Sequence, residues 1–122
     1  LSSQGKIFEY LKTGFSSTAD FLDYIYNVRI RSIINTPVDV TDDDRIIILS
    51  TCSYELKDFR TVIVARKVRE NESAEVDVEN ASANSNPVYP DGWYEKYGGQ
   101  RPSVLDFKTA LKNGQIDWYK QP

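Results

Sequence analysis

One cysteine and one nearby arginine are the side chains of this sequence best suited to nucleophilic chemistry. Cys52 stands at the end of the apolar run 45–52, and Arg60 opens a second apolar run over 60–69. Both runs are rich in β-branched residues at strand length, which predicts two β-strands joined by a short polar turn. If these strands pair as neighbours, a thiol and a fixed positive charge meet at one edge of a sheet.

Each of the two side chains also has an interpretation without chemistry. A free cysteine is usually a small buried hydrophobe, so Cys52 could serve packing alone. Its place at a strand end, beside small hydroxyl residues, favours a thiol exposed enough to react. Arg60 could instead pair with Glu55 or Asp58 on the surface. Arg66, on the same pleat face as Arg60, is a second candidate for the charge beside the thiol if the register differs.

Composition narrows the class of protein. A chain of 122 residues is long enough for one domain with a modest core. Its net charge of -3, with no cluster of Lys and Arg, argues against a nucleic-acid partner. No apolar run approaches the roughly 18 residues that span a bilayer. We therefore expect the chain itself to be soluble.

Two residue types are missing, histidine and methionine. Because the chain begins at Leu1 without a methionine, we expect a processed form or a piece of a longer protein. A cysteine nucleophile that needs an imidazole as its proton partner is incomplete within these residues. The single cysteine excludes an internal disulfide. Nothing in the sequence predicts a cofactor.

An amphipathic helix is predicted over 17–34. Ser17 offers an N-cap oxygen, and Asp20 follows it in a weak capping box. Pro37 lies just beyond the helix, because proline cannot continue one. The apolar face at helical spacing contains Phe21, Leu22, Ile25, Val28 and Ile33.

The acidic run 42–44 precedes the first strand. Three adjacent aspartates suggest a cation site, but the loop lacks the central glycine and the distant glutamate of an EF-hand. We therefore expect a solvated turn and no metal.

The remainder of the chain divides by composition. Residues 1–69 form the main body, and 70–86, rich in Glu, Asn, Ser and Ala, are expected to be a flexible linker or surface loop. The section 87–122 carries both tryptophans and is predicted to be a helical, aromatic-rich extension that covers the main body. Ser103 is its predicted helix N-cap, and 113–114 (Asn-Gly) end that helix.

The residues around the cysteine resemble the catalytic signature of sortases, the cysteine transpeptidases of Gram-positive cell surfaces. Residues 48–52 read Ile-Leu-Ser-Thr-Cys, where the usual motif is Thr-Leu-Ser-Thr-Cys, and 53–55 read Ser-Tyr-Glu. Upstream, 10–15 read Tyr-Leu-Lys-Thr-Gly-Phe and precede the predicted helix. This order resembles the helix-bearing insertion of class B sortases. The resemblance covers about 6–69.

The resemblance implies a mixed β fold with helices. The strands would be the C-terminal part of a sortase-type β-barrel, accompanied by the helix at 17–34 and the helical tail. The catalytic histidine and the first barrel strands would precede Leu1, so the chain alone should be inactive. Half a barrel leaves strand edges exposed, which favours a dimer or a swapped assembly.

The resemblance also implies two catalytic roles. Cys52 matches the nucleophile, which forms a thioester with a sorting signal. Arg60 matches the arginine that steadies the oxyanion or the bound substrate, and its charge would favour a thiolate. The acceptor would be an amine of a cell-wall precursor or a pilin, at the extracellular face of the membrane in the longer parent.

Four further positions are implied to bind the sorting-signal peptide. Ser50 would touch the substrate beneath the cysteine, and Thr51 is a further substrate-binding residue. Tyr10 and Leu11 would lie at the mouth of the helix-bearing loop and line the sorting-signal groove. The alternative function is a sortase-like module that grips an extended peptide near Tyr10 and Leu11 without chemistry. A third interpretation leaves Cys52 as inert packing and the tail as a partner surface.

Overall fold

A computed structural model describes residues 8–52 and 59–120. The elements in order are α1 (Thr18–Arg31), β1 (Ile34–Asn35), β2 (Ile46–Cys52), β3 (Arg60–Arg66), β4 (Ser82–Ala83), α2 (Asp91–Tyr97) and α3 (Phe107–Lys112). The strands form two antiparallel two-stranded sheets, β1 with β4 and β2 with β3. Within the described ranges the fold is thus mixed helix and small sheet, and no closed barrel is formed. None of the helices there is long and apolar enough to cross a bilayer.

The helix predicted over 17–34 is present as α1 but ends earlier. Ser17 is its N-cap, and its hydroxyl accepts a hydrogen bond from the backbone N–H of Asp20 at 3.1 Å. Ser32 turns the backbone to an extended conformation, with ψ of 137°. The next residues leave the helix because Ile34–Asn35 pair with Ser82–Ala83. This pairing joins two segments far apart in sequence, which local periodicity does not reveal.

The hydrophobic core lies between α1 and the C-terminal section. Trp118 and Phe107, only 7 % and 6 % exposed, pack with the buried face of α1. The backbone N–H of Val40 donates to the carbonyl of Trp118 at 2.9 Å, and the Arg29 guanidinium lies over the indole at 5.2 Å. The buried members of the cluster are Phe21, Leu22, Tyr24, Ile25, Tyr26, Val40, Phe107, Ala110 and Trp118. The C-terminal section therefore forms one side of the core.

The helix in the C-terminal section begins later than predicted. Asp106, and not Ser103, is the N-cap of α3, because its carboxylate accepts from the backbone N–H of Thr109 at 2.7 Å. Hydrogen bonds from the Thr109 hydroxyl and from the Thr109 backbone N–H lower the pKa of Asp106. The predicted end holds, since α3 stops at Lys112 and Gly114 takes a positive φ of 73°.

The hairpin of β2 and β3 has one register along its length. Ile46 pairs with Arg66 at its base, and Cys52 pairs with Arg60 at its tip. One face, which carries Ile46 and Ile48, lies toward the core cluster. The opposite face is apolar and open to solvent, with exposures of 58 % for Ile47, 49 % for Leu49 and 55 % for Ile63.

Candidate functional site

The thiol and the guanidinium meet at the tip of the hairpin. Cys52 is exposed, so its side chain is no part of the core. Nη1 of Arg60 donates to its sulfur at 2.8 Å. The two residues are direct partners in the antiparallel register, which projects both side chains from the same face. A guanidinium at this distance attracts the negative charge of a thiolate, the form of cysteine that acts as a nucleophile.

Ser50 and Tyr10 form a second contact on the same face. Ser50 lies two positions before Cys52, so their side chains leave the strand on one side. Its hydroxyl is 3.1 Å from the hydroxyl of Tyr10. The Tyr10 backbone is itself fixed, because the buried Tyr24 of α1 donates its hydroxyl to the Tyr10 carbonyl at 2.7 Å. Burial raises the pKa of Tyr24, so it stays a protonated donor.

Thr51 and Leu11 lie apart from this pair of contacts. The Thr51 hydroxyl donates to the carbonyl of Thr61 at 3.2 Å, and its position in the strand alternates with that of Cys52. Leu11 is 71 % exposed and borders a groove of about 810 Å³ beside the first half of β2. Other residues that line this groove include Phe15, Phe21, Ile46 and Ile48. The structure thus groups Cys52 with Arg60 and Tyr10 with Ser50.

Arg66, the alternative charge for the thiol, lies at the other end of the hairpin. Its guanidinium makes two hydrogen bonds of 2.9 Å to the carboxylate of Glu72. These bonds lower the pKa of Glu72 to about 2 and raise that of Arg66. In the observed register Arg60 therefore lies beside Cys52, while Arg66 lies at the base of the hairpin and binds Glu72.

The acidic loop before β2 is occupied by protein contacts. Arg69 binds Asp44 through two nitrogens, at 2.8 and 2.7 Å, and Asp39 at 3.1 Å. The Asp44 carboxylate also accepts the backbone N–H of Thr41 at 2.8 Å. The hydrogen bonds from Arg69 lower the pKa of Asp44. These contacts tie the loop to the segment that follows β3.

Part of the predicted motif falls outside the described residues. This applies to Ser53, Tyr54 and Glu55 of the sortase-like signature and to Asp58, the other alternative partner of Arg60.

Comparisons with known proteins match part of the chain. Sortase B of Listeria monocytogenes is 46% identical over 52 residues, which are 43% of this chain and 21% of that protein. Sortase B of Staphylococcus aureus is 36% identical over 62 residues, 49% of this chain and 25% of that protein. Part of the chain, which we call the sortase-like segment, is similar to class B sortases.

The chain spans about a fifth to a quarter of the length of these curated relatives. No protein-family profile matches the chain, and no solved structure matches it significantly.

Two residues beside the candidate site carried no signal in the sequence. Phe59 immediately precedes Arg60, and a Cβ placed on Gly92 of α2 would come within 3.2 Å of the Phe59 ring. A phenylalanine before a strand and a glycine in an aromatic-rich stretch are ordinary features. Only the folded chain brings them together.

Proposed function

We propose that the sortase-like segment carries the nucleophile and the oxyanion-binding arginine of a cysteine transpeptidase. The observation that supports this most directly is the 2.8 Å contact between Arg60 and the exposed sulfur of Cys52. A strand tip that presents both groups on one face can receive an extended peptide across it. The similarity to two proteins named Sortase B supports the same reaction class.

In the proposed reaction the Cys52 thiolate attacks a backbone carbonyl carbon of a sorting signal. A C–S bond forms, and Arg60 donates hydrogen bonds to the oxyanion that develops on the carbonyl oxygen. The C–N bond then breaks, and the leaving amine takes a proton. A second amine, from a cell-wall precursor or a pilin, attacks the thioester carbonyl carbon and gives up a proton to the group that protonated the leaving amine. The C–S bond then breaks, which leaves a new amide and the Cys52 thiolate.

In the proposed reaction the proton for the leaving amine comes from a group outside these residues. The 122 residues contain no histidine, which is the group that the sortase resemblance assigns to this transfer. We expect no turnover by the chain alone. The proposed setting of the complete enzyme is the extracellular face of the membrane.

Tyr10, Leu11, Ser50 and Thr51 are the proposed peptide-binding residues. The hydrogen bond between Tyr10 and Ser50 fixes one wall of the approach to Cys52. Leu11, 71 % exposed, offers an apolar surface farther along β2. The second candidate function is a module that binds an extended peptide without chemistry, which the same exposed Leu11 favours.

Peptides with an electrophile test the proposal on the chain as it is. A set of pentapeptides whose C-terminal amide is replaced by a vinyl sulfone is offered to the chain, and labelling is followed by intact mass. We expect some of the peptides to label Cys52 far faster than a simple alkylating agent does. Peptides that bind but label no faster than that agent would favour the binding module.

A displaced thiol is the matched control for this experiment. The double variant Cys52→Ala with Thr51→Cys moves the thiol to the alternate face of β2, away from Arg60. It should lose the sequence preference and keep ordinary thiol reactivity. If the double variant keeps the preference, Cys52 does not occupy the binding groove.

Self-association is proposed for the chain through the open face of the hairpin. Ile47, Leu49 and Ile63 form an exposed apolar patch, and within the described residues their sheet has two strands. Light scattering should give a mass above 14.0 kDa at high protein concentration. Ile63→Lys should restore the monomer, while Val76→Lys, at a position 76 % exposed elsewhere, should not. A monomer at every concentration would contradict the proposal.

A further inference from the structure

The C-terminal section touches the hairpin next to the candidate site. Gly92 lies in the first turn of α2, and its ideal Cβ position is 3.2 Å from Cζ and 3.6 Å from Cε2 of Phe59. A Cβ at 3.2 Å requires the ring to move by a few tenths of an ångström. The helix backbone therefore lies directly against this half-buried ring. The next residue in the chain is Arg60.

Aromatic side chains of α2 and the segment before it pack against one another and stabilise the helix end that contacts Phe59. Trp93 stacks on Tyr89 with ring centroids 4.1 Å apart, and Tyr97 packs against Trp93 with ring centroids 4.4 Å apart. The hydroxyl of Tyr94 accepts the backbone N–H of Tyr89 at 3.1 Å. These contacts tie the first turn of α2 to the segment before it.

That preceding segment is anchored to the core. Val88 is 5 % exposed, and its backbone N–H donates to the carbonyl of Ile30 in α1 at 2.9 Å. Arg101 donates to the carbonyl of Tyr89 at 3.3 Å and pairs with Asp91 at 2.8 Å. A continuous set of contacts thus runs from α1 through α2 to Phe59.

The tip of the hairpin needs such support. Arg60 is the first residue of β3, and a strand end frays more readily than a strand centre. Its guanidinium sits on a long flexible side chain, so the 2.8 Å contact with Cys52 depends on where the strand begins. The ring of Phe59, seated on Gly92, fixes the chain at that point.

We propose that Phe59 is a positioning residue, through which the C-terminal section holds Arg60 on the Cys52 sulfur. The inference rests on the proposed function, because it takes the Arg60 contact as the source of thiol reactivity. It adds that residues 87–97 set this reactivity from outside the sortase-like segment. Phe59 and Gly92 act through Arg60 and need no contact with the peptide.

The test measures the rate at which iodoacetamide alkylates Cys52 in the whole 122-residue chain at pH 7. The variants are Phe59→Ala, Arg60→Gln and the double variant. Both Arg60→Gln and Phe59→Ala should lower the alkylation rate. The fall in the logarithm of the rate caused by Phe59→Ala should be more than half of the fall caused by Arg60→Gln. In the Arg60→Gln background Phe59→Ala should have no further effect, because the residue it positions is gone.

Two further variants separate positioning from general stability. Phe59→Leu keeps an apolar contact with Gly92 and should recover most of the rate. Gly92→Val leaves Phe59 in place but pushes its ring away, and should lower the rate as Phe59→Ala does. Gly14→Val is the control for a bulky residue at a glycine, since among the described residues, its two chain neighbours aside, no heavy atom lies within 4 Å of the Cβ position there. It should leave the rate unchanged.

Distinct results overturn the inference and the proposed function. If Arg60→Gln slows alkylation and Phe59→Ala does not, the positioning role is wrong and the proposed function stands. A Phe59→Ala effect of equal size with and without Arg60 also refutes the positioning role. If Arg60→Gln itself leaves the rate unchanged, both proposals fail.

Discussion

The hydroxyl groups of Tyr10 and Ser50 lie 3.1 Å apart and connect the segment before α1 to the strand that carries Cys52. The contact is on the same face of β2 as the thiol. It belongs to residues 40 positions apart in the sequence. The wall beside Cys52 is therefore built by two separate parts of the chain.

A double-mutant cycle measures this contact. Tyr10→Phe and Ser50→Ala should each lower the free energy of unfolding by about 0.5–1.5 kcal/mol, as loss of a net hydrogen bond does. Their effects should be non-additive by about 0.5 kcal/mol or more, because each removes the same bond. Denaturant unfolding provides the measurement. Tyr10→Phe combined with Thr51→Val should be additive, since Thr51 bonds to Thr61 instead.

Trp118→Ala tests whether the C-terminal section is one side of the core. Its indole is 7 % exposed and packs against the buried face of α1. We expect the free energy of unfolding to fall by about 3–5 kcal/mol, through lost burial and a residual cavity. Thermal unfolding followed by circular dichroism measures the loss. Trp118→Phe should cost less, and Val76→Ala, at a position 76 % exposed, should change little. An unchanged melting temperature in Trp118→Ala would mean that the section is independent of the body.

The Arg66–Glu72 pair predicts a pH dependence of stability. The pKa of Glu72 falls from 4.5 to about 2 in the folded chain, so the unfolded chain binds the proton more readily. The stability that this pair contributes is complete above about pH 4.5 and is lost as the pH falls toward 2. Denaturant unfolding from pH 6 down to pH 2 should show this loss, and Glu72→Gln should flatten it. Glu75→Gln, at an exposed position nearby, is the control. Equal slopes in all three proteins would exclude the role of Glu72.

The parts that the sequence predicted are those governed by local pattern. Apolar β-branched runs predicted the two strands. Their pairing was only a condition, and the partner of Cys52 was left open between Arg60 and Arg66; the observed register pairs Cys52 with Arg60. Helical spacing with an N-cap serine predicted α1. The first helix and the hairpin are confirmed. The roles of the site residues stay predictions.

The parts that the sequence did not predict depend on distant segments. The pairing of Ile34–Asn35 with Ser82–Ala83 involves two residues on each side, too few to leave a pattern. The hydrogen bond from Tyr26 to the Leu105 carbonyl joins positions 79 apart. The contact of Gly92 with Phe59 likewise exists only once the C-terminal section is packed on α1.

The central claim is that the Arg60 guanidinium and the Cys52 thiol act as one unit at the hairpin tip. The most direct test compares the alkylation rate of Cys52 at pH 7 in the unmodified chain, in Arg60→Gln, and in Arg45→Gln as a matched arginine at the base of the hairpin. We predict a large loss of rate in Arg60→Gln, with melting temperature and the Arg45→Gln rate unchanged. Equal rates in all three proteins would contradict the account.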